Sequence, residues 1–159
     1  MKIGMLNFHF SFNNFGALLV PYTIAHTLEK LGHDVFVINF QSKAYLEHAK
    51  LNKLEEYGKN FEIFRNNFLP IKTDKYLSSI EMSELDDKFD AYIVGSDQVW
   101  RYMSDDELRV YFLEFASKNK RKISYAASFG IDTWGGDDAQ KKRIAAALDE
   151  FEFVSVRES

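Results

Sequence analysis

The chain has 159 residues, of which 46% are hydrophobic and 28% charged, a composition typical of one soluble domain with a substantial core. A net charge of -4 argues against a nucleic-acid partner, and the absence of cysteine excludes disulfides, a thiolate nucleophile and cysteine-ligated metal. The first apolar run, residues 3–6, is far shorter than a signal-peptide core or a membrane span, so we expect a cytoplasmic protein.

The first forty residues predict a strand, a helix and a second strand. Residues 2–6 form a short apolar strand, Asn14 is a helix-capping residue type, and apolar residues then recur at helical spacing as far as Gly32. Residues 34–40 (DVFVINF) predict the second strand, so a parallel pair with a crossover helix is expected. Pro21 conflicts with this pattern, because a proline this deep requires the helix to start later or to bend.

The middle of the chain predicts two helices and a buried strand. A stripe of apolar residues spaced by three and four predicts a helix that packs on the core and is closed by Pro70. A short helix is expected from a cap at Ser83 to Lys88, before residues 89–94, which are nearly all apolar and predict a central parallel strand. The residues of the stripe are Leu54, Tyr57, Phe61, Phe64 and Phe68.

The last third repeats the alternation of strands and helices. Residues 122–127 predict a strand, 137–150 a helix and 151–156 another strand. The fold class is therefore α/β, a doubly wound and mainly parallel sheet with helices on both faces, in one Rossmann-like domain over residues 1–159. Because the sequence stops just after a predicted strand, we expect a second, C-terminal domain outside this chain.

Four polar segments follow predicted strands. In a parallel sheet the carboxyl ends of the strands meet at one edge, so we expect the segments to converge there, where ligands of open α/β sheets bind. The segments are HFSFNNFG at 9–16, GSDQVW at 95–100, SFGIDTWGG at 128–136 and RES at 157–159.

The segment after the central strand has the side chains best suited to a sugar. Gly95 and Ser96 end the strand, and the missing side chain of Gly95 permits a ligand to approach the backbone. Asp97 can accept hydrogen bonds from hydroxyls or act as a base, and Gln98 can donate and accept. Trp100 offers a flat face to a sugar ring. A structural alternative remains, in which Asp97 caps a turn and Trp100 fills the core.

The other segments add weaker candidates. Asn14 and Gly16 stand where backbone N–H groups at a helix start can face an anion, although an ordinary helix start explains them equally well. Ser128 and Gly130 belong to the third segment. Of the four histidines only His9 lies in a polar segment, so no metal site is predicted.

Several stretches of the sequence resemble the polysaccharide pyruvyl transferase family. They are KIGMLNFHFSFNNFGALL at 2–19, FDAYIVGSDQVW at 89–100, SYAASFG at 124–130 and VSVRES at 154–159. The similarity is weakest over 41–75 and most specific at VGSDQVW. Members resemble two-domain glycosyltransferases of the GT-B type, with the active site between the domains, so this chain would be the N-terminal half.

The resemblance implies transfer of a pyruvyl group from phosphoenolpyruvate, as donor substrate, to a pair of hydroxyls on a sugar or lipid-linked glycan, forming a ketal and releasing phosphate. It implies no cofactor and no metal, and a lipid-linked acceptor would bring peripheral membrane association. Arg157 matches the family's arginine at this strand end and would bind an anionic group of the donor through two parallel hydrogen bonds. The alternative is that it only forms an ion pair with Glu158. Asp97 would face the acceptor, and the general acid would come from the second domain.

This sequence departs from the family's pattern at a few positions. Val20 and Pro21 stand where relatives more usually carry a glutamine and a small residue, and Arg101 stands where an asparagine is common. Two other functions remain open, a GT-B glycosyltransferase that uses a nucleotide sugar and a domain that binds glycans without catalysis.

Overall fold

Four strands and six α-helices form the part of the chain that the structure, a computed structural model, describes, namely residues 1–54 and 58–158. The strands are β1 (Lys2–Leu6), β2 (Asp34–Val37), β3 (Ala91–Gly95) and β4 (Arg121–Tyr125). The helices are α1 (Gly16–Lys30), α2 (Lys43–Leu51), α3 (Lys59–Phe68), α4 (Ser79–Met82), α5 (Asp105–Tyr111) and α6 (Asp138–Leu148), with a 3-10 helix at Ser83–Lys88 after α4.

All four strands run parallel, in the order β2-β1-β3-β4. In the register, Ile3 of β1 stands opposite Val35 of β2 and Ala91 of β3. The chain thus passes from β1 outward to β2 and returns across β1 to β3. This arrangement confirms the predicted Rossmann-like sheet and puts its switch point, where the strand order reverses, between β1 and β3.

Helices cover both faces of the sheet, as predicted. On one face, Ile24 and Ala25 of α1 pack on apolar side chains of β1, β2 and β3. On the other face, residues of α4, α5, α6 and the 3-10 helix join a larger cluster with Tyr92 and Val94 of β3. Because both faces of β3 are buried, this strand contains no charged residue.

The start of α1 leaves Pro21 in the interior of the helix. The helix begins at Gly16, two residues after Asn14, and Pro21 lies inside it. Asn14 is therefore not the capping residue itself, but its Oδ1 accepts a hydrogen bond from the Gly16 N–H at 2.9 Å. Gly32 has a φ of +86° and follows the helix as predicted, because glycine adopts this left-handed conformation without a steric penalty.

The helix predicted from the apolar stripe is confirmed in part, because α3 contains Phe61, Phe64 and Phe68 and ends before Pro70, but begins only at Lys59. Helix α2 precedes the stripe and was not predicted; Ser42 caps it by accepting a hydrogen bond from the Tyr45 N–H at 3.1 Å. Of the stripe, Phe61 is buried, Phe68 is exposed, and Tyr57 lies outside the described residues.

Two other helix predictions also need correction. The helix predicted from Ser83 begins earlier, at Ser79, where Ser78 accepts a hydrogen bond from the Glu81 N–H, and it continues as the 3-10 helix. Helix α5 was not predicted, although Ser104 and Glu107 form a capping box at its start.

The strand predicted at 151–156 is present only as an extended segment beside β4. It pairs in parallel at two separate positions, with β4 through Phe153 opposite Ile123 and with the residues just after β4 through Val156 opposite Ala127. Ala126 lies between these positions, just after β4, and has a φ of +52°. This left-handed conformation turns the backbone and interrupts the regular pairing.

Trp100 belongs to the core, so the prediction that it stacks on a sugar is wrong. Its side chain is fully buried, its ring stacks on Phe112 at a centroid distance of 5.1 Å, and Phe129 and Phe151 contact it from other sides. The indole Nε1 donates a hydrogen bond to the Tyr111 carbonyl at 3.0 Å. The structural alternative for Trp100 is the observed one.

We expect Trp100→Phe to lower the free energy of unfolding by about 1–3 kcal/mol, because the smaller ring leaves a void and the Tyr111 carbonyl loses its donor. Urea unfolding followed by circular dichroism measures the change. Trp134→Phe is the matched control and should cost less, since the Trp134 Nε1 has no hydrogen-bond partner within residues 1–54 and 58–158. An unchanged stability in Trp100→Phe would contradict its role in the core.

A buried charge in β4 gives the fold a dependence on pH. Lys122 is 1% exposed, and its Nζ lies 2.7 Å from the Glu150 carboxylate. The hydrogen bond from Lys122 lowers the pKa of Glu150. A lowered carboxyl pKa means that the stabilisation is complete above the unfolded pKa and is lost as pH falls through the folded pKa.

Glu150→Gln should therefore destabilise the fold by about 1.5–3 kcal/mol near neutral pH, and by less at an acid pH below the folded pKa of Glu150, where the parent has also lost this charge. Urea unfolding of both proteins at the two pH values tests this. Glu152→Gln is the control, because its partner Arg121 is exposed and such pairs contribute little. A difference between Glu150→Gln and the parent that stays constant with pH would contradict the assignment.

Candidate functional site

A cavity of about 400 Å³ opens at the switch point of the sheet. It is lined by the loop after β1 (residues 7–15), the segment after β3 (residues 96–104), and residues of α2 and α5. Two of the four predicted polar segments therefore converge here, those at 9–16 and 95–100. This is the place where open α/β sheets bind their ligands.

Aromatic rings form much of the cavity wall. Phe8 contacts Tyr111 edge to face at a centroid distance of 5.2 Å, and Phe10 contacts Tyr45 at 4.3 Å. The Tyr45 hydroxyl donates to the Phe10 carbonyl at 2.8 Å and so holds the loop after β1 against α2. Burial raises the pKa of Tyr111 well above its ordinary value, so its hydroxyl stays protonated. Such rings can pack against the C–H faces of a sugar.

Asp97 is the carboxylate in this cavity that remains available to a ligand. Its Oδ1 accepts a hydrogen bond from the Gln98 N–H at 2.8 Å, and its Oδ2 accepts none from the described residues. Glu107 also lines the cavity, but its oxygens already accept bonds from Ser42 and Ser104, both at 2.6 Å. Glu107 therefore has a structural role, and Asp97 is the candidate acceptor or base.

The backbone around Asp97 is held on both sides. Ser96 has a φ of +32°, and its N–H donates to the Tyr125 carbonyl at 2.7 Å. The Asp97 carbonyl accepts from the Ser128 N–H, and the Ser128 carbonyl accepts from the Trp100 N–H, both at 3.0 Å. A non-glycine residue at positive φ costs on the order of 1 kcal/mol, and these bonds to β4 and the loop after it hold the conformation.

Gly95 and Gly130, two of the three predicted glycines, are closely packed against neighbouring residues. A Cβ on Gly95 would lie 3.0 Å from the Tyr125 carbonyl oxygen and 3.1 Å from Ile24 Cδ1, so the absent side chain lets α1 and β4 approach β3. Gly130 has a φ of +70°, and a Cβ there would lie 2.8 Å from the Gln98 side chain. Neither glycine lines the cavity, whereas Gln98 does.

Of the two residues predicted as site residues at the start of α1, Asn14 lines the cavity and Gly16 does not. Asn14 lines the cavity, and its backbone N–H donates to the Ser11 hydroxyl at 2.9 Å. The Gly16 N–H is already bonded to the Asn14 side chain, so the structure favours the ordinary helix start over an anion site at Gly16.

Arg157 and Ser128 lie beside the cavity, not in it. The Ser128 side chain is buried; its hydroxyl donates to the Glu158 carboxylate and accepts from the Gly130 N–H at 2.9 Å. Arg157 is 49% exposed, its Nη2 donates to Ser128 Oγ at 3.2 Å, and its Nε lies 3.7 Å from Glu158. The ion pair with Glu158 is thus present. The backbone hydrogen bond from the Ser128 N–H to the Asp97 carbonyl connects this group to the cavity.

Sequence reasoning missed several cavity residues. Arg101 was noted only as a departure from the family's pattern, yet it lines the cavity with its guanidinium 5.6 Å from the Phe8 ring centroid. It forms no ion pair with any described residue. Tyr45 and Ser42 gave no signal, because they reach the cavity through α2, which the pattern did not predict. In the described parts of the chain, His, Asp and Glu form no cluster of three that would suit a metal.

Comparison with known proteins identifies the family. No curated protein and no solved structure matches the chain. None of the helices in the described residues is long and apolar enough to cross a membrane. The sequence model described as polysaccharide pyruvyl transferase matches residues 14–159, which include the segment after β3 and the end of the chain. The chain belongs to the polysaccharide pyruvyl transferase family.

Proposed function

We propose that the cavity at the switch point binds the sugar acceptor of an enzyme that transfers a pyruvyl group from phosphoenolpyruvate to two hydroxyls of a glycan or its lipid-linked precursor. Membership of the family supports pyruvyl transfer to a polysaccharide. The observation that carries the proposal is Asp97, a carboxylate whose Oδ2 has no partner among the described residues, in a cavity lined by aromatic rings. The reaction would take place in the cytoplasm, and its product would be used in the synthesis of cell-surface glycans.

The reaction makes specific demands on the site. The central carbon of phosphoenolpyruvate forms a bond to each of two sugar oxygens and loses its bond to the bridging oxygen of the phosphate. The two hydroxyls release two protons; overall, one is balanced by protonation of the methylene carbon, which becomes a methyl group, and the other by the departing phosphate. The site therefore needs a base at the sugar hydroxyls, an acid at the methylene carbon and cations at the donor.

Asp97 fits the role of the base at the acceptor. Its free oxygen can accept a proton or a hydrogen bond from a sugar hydroxyl, while the Gln98 N–H holds the other oxygen in place. The Gln98 carboxamide can bind a neighbouring hydroxyl, and Phe8 and Phe10 offer rings to the apolar face of the sugar.

Cations for the donor would come from two places. Arg101 stands in the cavity without an ion-pair partner among the described residues, and Arg157 at the next strand end could exchange Glu158 for the phosphate or carboxylate of the donor. We expect the general acid and further cations in a second domain that closes over this edge of the sheet.

Asp97→Asn in the full-length protein should lower kcat/KM for phosphate release by at least about a hundredfold, because the amide keeps the shape but cannot take up a proton. The melting temperature should stay close to that of the parent, since Oδ2 has no partner within the described residues. Asp149→Asn, an exposed aspartate at the end of α6, is the matched control and should keep full activity. Parental activity in Asp97→Asn with a large fall in melting temperature would make Asp97 structural.

The choice of donor separates this function from its alternatives. Phosphoenolpyruvate and a set of nucleotide sugars are offered to the full-length protein with a panel of hexose glycosides, and released phosphate and nucleotide are measured. We expect phosphate only with phosphoenolpyruvate and no nucleotide release. Release of nucleotide would indicate a glycosyltransferase instead, and acceptor binding without turnover of any donor would indicate a glycan-binding domain.

A further inference from the structure

A second cavity, of about 260 Å³, lies on the other side of the loop after β1. It is bounded by His9 of that loop, by Asn39 and Gln41 after β2, and by Arg65 and Asn66 of α3. It shares no lining residue with the cavity at the switch point, so it is a separate site.

Arg65 gives this second cavity a positive charge, and among the described residues no carboxylate lies within ion-pair distance of it, although Glu62 acts on it from farther away. The guanidinium is partly buried; its Nη1 donates to the Ser11 carbonyl at 2.8 Å, and it lies 5.3 Å from the Phe12 ring centroid. Within the described residues Arg65 forms no ion pair, and no carboxylate lines the cavity. A partly desolvated cation of this kind is normally compensated by an anion.

Several hydrogen-bond donors that line this cavity have no acceptor among the described residues. The Nε and Nη2 groups of Arg65 and the side-chain amide of Asn66 donate to none of the described residues. The carboxamides of Gln41 and Asn39 are bonded to each other at 2.9 Å, and Asn39 also contacts the Nε2 of the buried His9 at 3.2 Å. Burial lowers the pKa of His9, so the positive charge of the cavity comes from Arg65.

We propose that this second cavity binds a phosphate group, gripped by Arg65 and Asn66 against the polar wall of Asn39 and Gln41. A guanidinium presents two parallel N–H groups that match two oxygens of a tetrahedral oxyanion, and Arg65 has Nε and Nη2 available for this contact. The volume exceeds that of inorganic phosphate, so the group can be a free ion or part of a phosphate ester. The inference is independent of the reaction proposed above.

The position of the site gives bound phosphate a structural consequence. Arg65 holds the Ser11 carbonyl, and the Ser11 hydroxyl accepts hydrogen bonds from the backbone N–H groups of Asn13 and Asn14, at 3.3 and 2.9 Å. Both asparagines line the cavity at the switch point. A phosphate that holds Arg65 in place therefore also stabilises the loop residues that line the cavity at the switch point.

Titration of the full chain with inorganic phosphate, followed by isothermal calorimetry, tests the proposal. We expect saturable binding at this cavity, separate from any binding at the donor cations Arg101 and Arg157, and we expect Arg65→Gln to weaken it about tenfold to a hundredfold, because a charge-assisted contact is lost. Asn66→Ala should weaken binding severalfold, and this variant leaves the bond from Arg65 to Ser11 intact. Arg121→Gln is the matched control at the amino end of β4 and should bind like the parent.

A hexose phosphate in place of inorganic phosphate distinguishes the two sources. Tighter binding of the hexose phosphate through Arg65 assigns the site to a phosphate ester, and tighter binding of inorganic phosphate assigns it to the free ion. Binding that is absent in the folded parent, or unchanged in both Arg65→Gln and Asn66→Ala, overturns the proposal. Asp97→Asn should bind phosphate like the parent, so failure of the reaction and failure of this site are distinguishable.

Discussion

The whole arrangement depends on the pairing of β1 with two parallel neighbours, β2 and β3. Because the chain leaves β1 toward a helix on one face and leaves β3 toward helices on the other, the two segments diverge and a gap remains between them. Hydrogen bonding within the sheet thus creates the cavity before any ligand is present. The aromatic side chains of the loop after β1 then line it, and Asp97 stands where β3 ends.

The core holds Asp97 in position without taking part in binding. Trp100 is buried three residues further along, and its backbone N–H and the Asp97 carbonyl are both bonded to Ser128. The segment between Gly95 and Trp100 is therefore fixed at both ends, and Ser96 accepts an unfavourable φ between them. A carboxylate on such a rigid segment keeps its geometry for a ligand, which is what proton transfer from a sugar hydroxyl requires.

Sequence reasoning predicted the sheet well and the site only in part. The strands were predicted because a parallel strand that is covered on both faces reads as a continuous apolar run, and β3 is such a strand. The stripe from Leu54 to Phe68 predicted a helix that begins too early, because its apolar spacing starts before Lys59, the first residue of α3. Trp100 was a candidate for stacking on a sugar, with core packing as the alternative, because the sequence does not show that its ring stacks on Phe112. Arg65 and His9 meet only through tertiary structure, and no local pattern joins them.

A crystal structure of the full-length protein with the methyl glycoside of a hexose that bears a pyruvate ketal would show whether the sugar binds beside Asp97. We expect the sugar ring against Phe8 and Phe10 in the cavity at the switch point, with a ketal oxygen or a neighbouring hydroxyl about 3 Å from the Asp97 carboxylate. A sugar bound at another place on the domain, with Asp97 still contacting only the Gln98 N–H, would contradict it.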